Sequence, residues 1–168
     1  MNAKKERLEE WRKHYQQLED LHLMLEMARE AGDEEILKEV LSDSEELLRS
    51  VKDLELRGLL SAEEDAKNAI LTIHPGAGGT ESQDWAQMLM RMYLRWAERR
   101  NFKTQVLDIL AGEEAGIKSV TIEVKGPYAY GFLKSEIGVH RLVRISPFDA
   151  NGRRHTSFAS VFVLPEIE

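Results

Sequence analysis

Apolar positions in the first third of the chain recur every three or four residues. Leu8, Trp11, Tyr15, Leu18, His22 and Leu25 form an a/d-type seam with one polar insert. Ala31-Gly32 interrupts it, and Asp33 offers an N-cap. Ile36, Leu37, Val40, Leu41, Leu47, Leu48, Val51 and Leu54 then resume the helical spacing. The pattern predicts two antiparallel helices joined at Gly32. Gly58 ends the second helix, and 61–66 reads as a polar linker. From residue 68 the period changes. Asn68–His74 is β-rich, and Thr80–Asn101 is an amphipathic helix with Trp85, Met88, Leu89, Met92 and Trp96 on one face. Phe102–Leu110, Val120–Lys125, Val139–Ile145 and His155–Leu164 read as strands, and Tyr128–Ser135 as a short helix. The predicted class is α+β: a coiled-coil-like N-terminal helical hairpin, then an α/β sandwich with one long helix on a mixed sheet. The division falls between residues 1–66 and 67–168.

Charge follows the same division. Residues 1–66 carry 10 basic and 19 acidic side chains, and residues 67–168 carry 13 and 11. Within 134–154, Lys134, Arg141, Arg144, Arg153 and Arg154 face only Glu136 and Asp149. This basic segment suits phosphate as well as it suits a solvated face. With 168 residues the chain makes one domain or two small ones. It has no cysteine, which removes disulfides, thiol nucleophiles and cysteine zinc sites and fits a reducing compartment such as the cytoplasm. No run reaches the ~18 apolar residues of a membrane helix, so no membrane association is expected.

Two segments carry candidate chemistry. The first is Pro75-Gly76-Ala77-Gly78-Gly79-Thr80-Glu81, where a strand enters a glycine-rich turn that opens a helix. Thr80 and Gln83 have capping-box spacing. Exposed N–H groups and the positive helix end would collect there. The spacing is neither that of a P-loop nor of a dinucleotide fingerprint, and a tight strand–helix connection accounts for the glycines equally well. Glu81 changes the picture, because a carboxylate in the first turn repels phosphate yet accepts from the amino and imino groups of a base. The second segment is Arg144-Ile145-Ser146-Pro147-Phe148-Asp149-Ala150-Asn151-Gly152-Arg153-Arg154-His155-Thr156-Ser157-Phe158. Ser-Pro and Asn-Gly mark turns. A hydroxyl, an aromatic ring, arginines and an imidazole form the mixture that reads unstacked RNA bases. A hairpin with a solvated tip is the plainer alternative. No Ser-His-Asp context, His-Glu-x-x-His or paired-histidine metal spacing occurs, and Glu113-Glu114 reads as a turn.

These motifs carry a resemblance. Gly76–Glu81 with Gln83-Asp84-Trp85-Ala86, then Tyr93-Leu94-Arg95-Trp96-Ala97, then Gly138-Val139-His140-Arg141-Leu142-Val143-Arg144, then Ser146-Pro147-Phe148 and Arg153-Arg154-His155-Thr156-Ser157-Phe158, are similar to the bacterial class-I peptide chain release factors. The Ser-Pro-Phe tripeptide resembles that of the type-two branch; the type-one branch has Pro-x-Thr there. The similarity runs from about Ala69 to Glu166.

The resemblance implies binding to the ribosomal decoding centre, built of small-subunit rRNA, and reading of the mRNA stop codons UGA and UAA. It implies no cofactor, metal or small-molecule substrate. By the same resemblance Gly78 and Glu81 would read the first base, and Ser146 with Glu81 the second. His155 would stack between the second and third bases, Thr156 would contact the third, and Val143, Pro147 and Phe148 would shape the pocket. Arg144, Arg153 and Arg154 would meet the RNA backbone. The family's Gly-Gly-Gln hydrolytic tripeptide is absent: Gly78-Gly79 is followed by Thr80. The expectation is therefore a codon-reading piece that ends before the hydrolytic domain and starts inside the helical one, without enzymatic activity. The alternatives are a naturally short, non-hydrolytic ribosome-binding paralogue, and a helical protein-interaction module with no RNA partner.

Overall fold

A computed structural model describes residues 2–167. The chain divides into two compact units, residues 1–59 and 60–168. The first is a helical hairpin of α1 (Asn2–Ala31) and α2 (Glu34–Leu59). Asp33 Oδ1 accepts from the backbone N–H groups of Glu35 and Ile36, which is the cap expected at the start of α2. Gly32 supplies the left-handed conformation (φ 66°) that closes the turn. The Arg57 guanidinium reaches Glu10 at 2.6 Å and ties the open ends together. Between the described side chains of this pair, only Ala28 and Val40 are fully buried. Leu8, Trp11, Tyr15 and Leu18 of the predicted seam stay about half exposed. Most of them line an open apolar groove of about 1030 Å³ along both helices. Two helices alone cannot enclose a stripe that wide.

The second unit begins earlier than polarity suggests. Residues 63–66 form a 3₁₀ turn instead of a free linker. Asp65 is buried, accepting from the Ala62 N–H at 3.1 Å and from Lys134 Nζ at 2.6 Å. Then follow β1 (Ala69–Pro75), α3 (Thr80–Arg99), β2 (Lys103–Ala111), β3 (Ile117–Lys125), α4 (Ala129–Leu133), β4 (Gly138–Ile145) and β5 (Arg154–Pro165). Sheet order is β2-β3-β1-β5-β4. Every neighbouring pair is antiparallel, so the sheet is not mixed. The β1–α3–β2 crossover does leave β2 running with β1, but β3 lies between them and opposes both.

One face of the sheet holds the core. Ala69, Leu71 and Ile73 of β1, Val120, Ile122 and Val124 of β3, and Ala159, Val161 and Val163 of β5 are all buried. Helix α3 covers them with Ser82, Ala86, Leu89, Tyr93 and Ala97. Trp85 and Trp96 pack at the flank, and the Trp85 indole N–H donates to the His140 carbonyl at 3.0 Å. Met92, which the spacing assigns to the packing face, is 44% exposed. The buried stripe is rotated by about one residue, because the small Ala86 and Ala97 let the helix approach the sheet closely.

This packing separates two leucine-sized side chains on one helix. Leu89→Ala should cost about 2–5 kcal/mol. Met92→Ala should change stability by no more than about 0.5 kcal/mol. Urea unfolding followed by tryptophan fluorescence measures both, and equal losses would contradict the observed helix face.

Candidate nucleic-acid interface

The sheet brings the two candidate segments to one end. Strand β1 runs antiparallel to β5 with Pro75 opposite Ala159, and the Gly76 N–H donates to the Phe158 carbonyl at 2.8 Å. A Cβ on Gly76 would lie 2.9 Å from that oxygen, so the close approach requires glycine. Strands β4 and β5 form a hairpin with Ile145 opposite Arg154. The glycine-rich turn and the 146–153 loop therefore leave the same edge region.

The turn into α3 differs from the capping box that the spacing suggests. Gly79 is the N-cap, with φ 59° and ψ −138°, and Thr80 is already helical. The Thr80 hydroxyl donates outward to Glu114 at 2.8 Å. Ser82 Oγ does the local work, lying 2.9 Å from both the Gly76 and Gly79 carbonyls. Gly78 is exposed at the tip.

Glu81 points inward from this tip and is only 7% exposed. Its Oε1 accepts from Arg144 Nε at 2.6 Å, and its Oε2 accepts from the Ser146 hydroxyl at 2.6 Å. Arg144 Nη2 reaches Asp84 Oδ2 at 2.6 Å, and Nη1 meets Met88 Sδ at 3.3 Å. Arg144, expected from the resemblance to meet the RNA backbone, is here a strut between β4 and α3. Burial pushes the Glu81 carboxyl up, but the hydrogen bonds from Arg144 and Ser146 and the nearby positive charges more than offset it. The net result lies below the ordinary value.

The loop beyond Ser146 is folded on itself. Phe148 N–H donates to Ser146 Oγ at 3.1 Å, and Ser146 N–H donates to the Arg153 carbonyl at 3.1 Å. Asp149 is its hub: Oδ2 meets His155 Nε2 at 2.7 Å and accepts from Arg153 Nε at 2.8 Å, while Oδ1 accepts from the Asn151 N–H at 2.9 Å. The His155 contact first, then Arg153 and the Asn151 amide, hold its carboxyl well below the usual carboxylate range. Val143, Pro147, Phe148, Arg153, Arg154 and Thr156 are exposed, and the His155 ring is partly so. Arg154 makes no ion pair among the described residues.

The PCRF-domain family model matches residues 1–161. The chain belongs to that family. Among curated relatives, peptide chain release factor 2 of Nautilia profundicola is 59% identical over 167 residues, covering 99% of this chain and 46% of that protein. The same factor from Listeria innocua is 52% identical, covering 99% and 46%. A solved structure, RF2 of Thermus thermophilus, matches with a TM-score of 0.71 and 51% identity over 96% of this chain and 46% of that one. The chain spans about half the length of the relatives it matches. The release-factor resemblance and the α+β class of the sequence both hold.

In this PCRF-family site, sequence reasoning missed Asp84 and Asp149. Asp84 lies one helical turn beyond Glu81, a spacing that places both carboxylates on one face of α3. Asp149 begins an Asp-x-Asn-Gly turn, whose Asx signal the charge count concealed. Among the described residues no group of three or more His, Asp or Glu is arranged to hold a metal ion, and no helix is long and apolar enough to cross a membrane.

Acid should loosen this site. A carboxyl lowered in the folded state adds stability above its unfolded value of about 4, and that stability is lost as pH falls through the folded value. Glu81→Gln should therefore flatten the dependence of unfolding free energy on pH below about 4. An unchanged acid slope would show that Glu81 is not held ionised by Arg144 and Ser146.

Proposed function

We propose that this chain carries the codon-reading surface of a bacterial type-two release factor. It binds the ribosomal decoding centre, contacts small-subunit rRNA and mRNA, and distinguishes UGA and UAA from other codons. It works in the cytoplasm without a cofactor. The observation that carries this reading is the 2.6 Å hydrogen bond from Ser146 to Glu81. It joins two segments far apart in sequence, each of a composition suited to base recognition. The family membership and the release-factor names of the relatives support the same reading.

Roles follow from exposure and chemistry. Phe148 and His155 offer planes on which unstacked bases rest. The Thr156 hydroxyl both donates and accepts at a base edge. Gly78 presents backbone with no side chain in the way, and Val143 and Pro147 form an apolar wall. Ser146 and Glu81 reach a base by exchanging their mutual hydrogen bond for contacts to it. A hydroxyl that can donate or accept tolerates either purine at the second codon position. Arg153 and Arg154 meet phosphate, whereas Arg144 holds Glu81 in position. Peptidyl-tRNA hydrolysis is not assigned to this chain, since Gly-Gly-Gln is absent from its sequence.

Equilibrium binding to ribosomes programmed with UGA, UAA, UAG or a sense codon tests this function. Replacing Ser146 by Pro and Phe148 by Thr should shift the UGA-over-UAG preference by about 1–3 kcal/mol. Arg153→Gln with Arg154→Gln should weaken binding to every codon and lower its salt dependence. Unaltered codon preference after the tripeptide change would overturn the proposed reader.

A further inference from the structure

Helix α3 carries a second feature that the codon-reading surface does not use. Arg91, Arg95 and Arg99 stand at successive i, i+4 positions, and all three are exposed. None forms an ion pair or hydrogen bond among the described residues. On the helical hairpin some cations are paired within their helix, whereas among the described residues Arg12, Lys13, Arg29, Lys38 and Lys52 are not. Lys5 pairs with Glu9, Arg49 with Glu45 and Arg57 with Asp53, each at i, i+4 spacing. On α3 the i+4 neighbour of one arginine is the next arginine, an arrangement that works against the helix. The helix dipole favours a cation only in the last turn, which accounts for Arg99 but not for Arg91 or Arg95. Arg100 is occupied elsewhere, its guanidinium lying 4.1 Å from the Phe132 ring centroid. Lys103, at the start of β2, is also exposed, and Glu98 is the one acidic residue between 91 and 103.

We propose that this face of α3 is a second RNA-binding surface that takes the phosphate backbone of structured RNA through Arg91, Arg95 and Arg99. Three guanidinium groups in a row, about 6 Å of helix apart, can each grip a phosphate through a planar fork. The row is purely cationic and offers no acceptor and no aromatic plane of its own, so it contacts backbone without reading bases. Arg95 lies about 20 Å along the helix from Glu81, which separates this surface from the codon end. The proposal rests on the ribosome-binding reading for the identity of the RNA, and it assigns that RNA to ribosomal helices and not to the message.

The experiment compares the intact chain with its Arg91→Gln, Arg95→Gln, Arg99→Gln triple variant on ribosomes programmed with UGA or a sense codon. The triple variant should lose about tenfold in affinity on both, with the slope of log affinity against log salt reduced by about 3. Its UGA-over-sense ratio should not change, and its thermal midpoint should hold or rise because like charges at i, i+4 are removed. A Glu98→Cys variant, whose cysteine is unique in this chain, carries a tethered hydroxyl-radical source and should cleave rRNA locally. Unchanged affinity and salt slope in the triple variant overturn the proposal, as does loss of affinity without rRNA cleavage, which would place an acidic protein surface there. Equal binding of the unmodified chain to UGA and sense ribosomes would instead overturn the codon-reading function and leave the α3 result separately legible.

Discussion

The end of the sheet that carries the glycine-rich turn and the 146–153 loop depends on one guanidinium. Arg144 leaves β4 and meets Glu81 and Asp84 on the first turns of α3, each at 2.6 Å. The Glu81 carboxylate has its other oxygen on Ser146, two residues beyond Arg144. Two anions one turn apart repel each other even at the positive end of a helix; with Arg144 between them they become the attachment of a β-hairpin to a helix. The arrangement is partly buried, so each bond is worth more than its surface equivalent, and removing a single partner would leave a charge poorly solvated.

That network also sets what the loop can do. Ser146 Oγ donates to Glu81 and accepts from the Phe148 N–H, so its one proton is committed and one lone pair remains. Asp149 fills the same role for His155 and Arg153. Both candidate base-reading groups are thus held in place by carboxylates from their own chain. Under the proposed function, recognition would exchange one set of hydrogen bonds for another, and only a base offering equivalent partners would repay the exchange. Under that reading a wrong base would leave buried polar groups unmatched, a penalty that favours the matching base.

Much of this was legible in the sequence because local signals agreed. The Asp33 cap and the alternation Val120-Thr121-Ile122-Glu123-Val124 are local signals, and the fold realises both the helix start and the strand. Strand pairing was less accessible. Nothing local in β1 or β2 indicates that β3 inserts between them, so an antiparallel sheet read as mixed. Charge and the family resemblance both group Arg144 with Arg153 and Arg154. Only the fold distinguishes an arginine beside a helix bearing Glu81 and Asp84 from one at a loop tip. The half-exposed Trp11 and Tyr15 have a related origin, since a seam spacing gives the direction a side chain faces but not how much surface lies opposite it.

Glu81 and Ser146, although distant in sequence, form one energetically coupled site. A double-mutant cycle of Glu81→Ala and Ser146→Ala on unfolding free energy tests it most directly. A charged hydrogen bond at 2.6 Å in a buried setting predicts a coupling of at least about 1 kcal/mol. Effects that add to within about 0.3–0.5 kcal/mol would contradict the account and separate the glycine-rich turn from the loop.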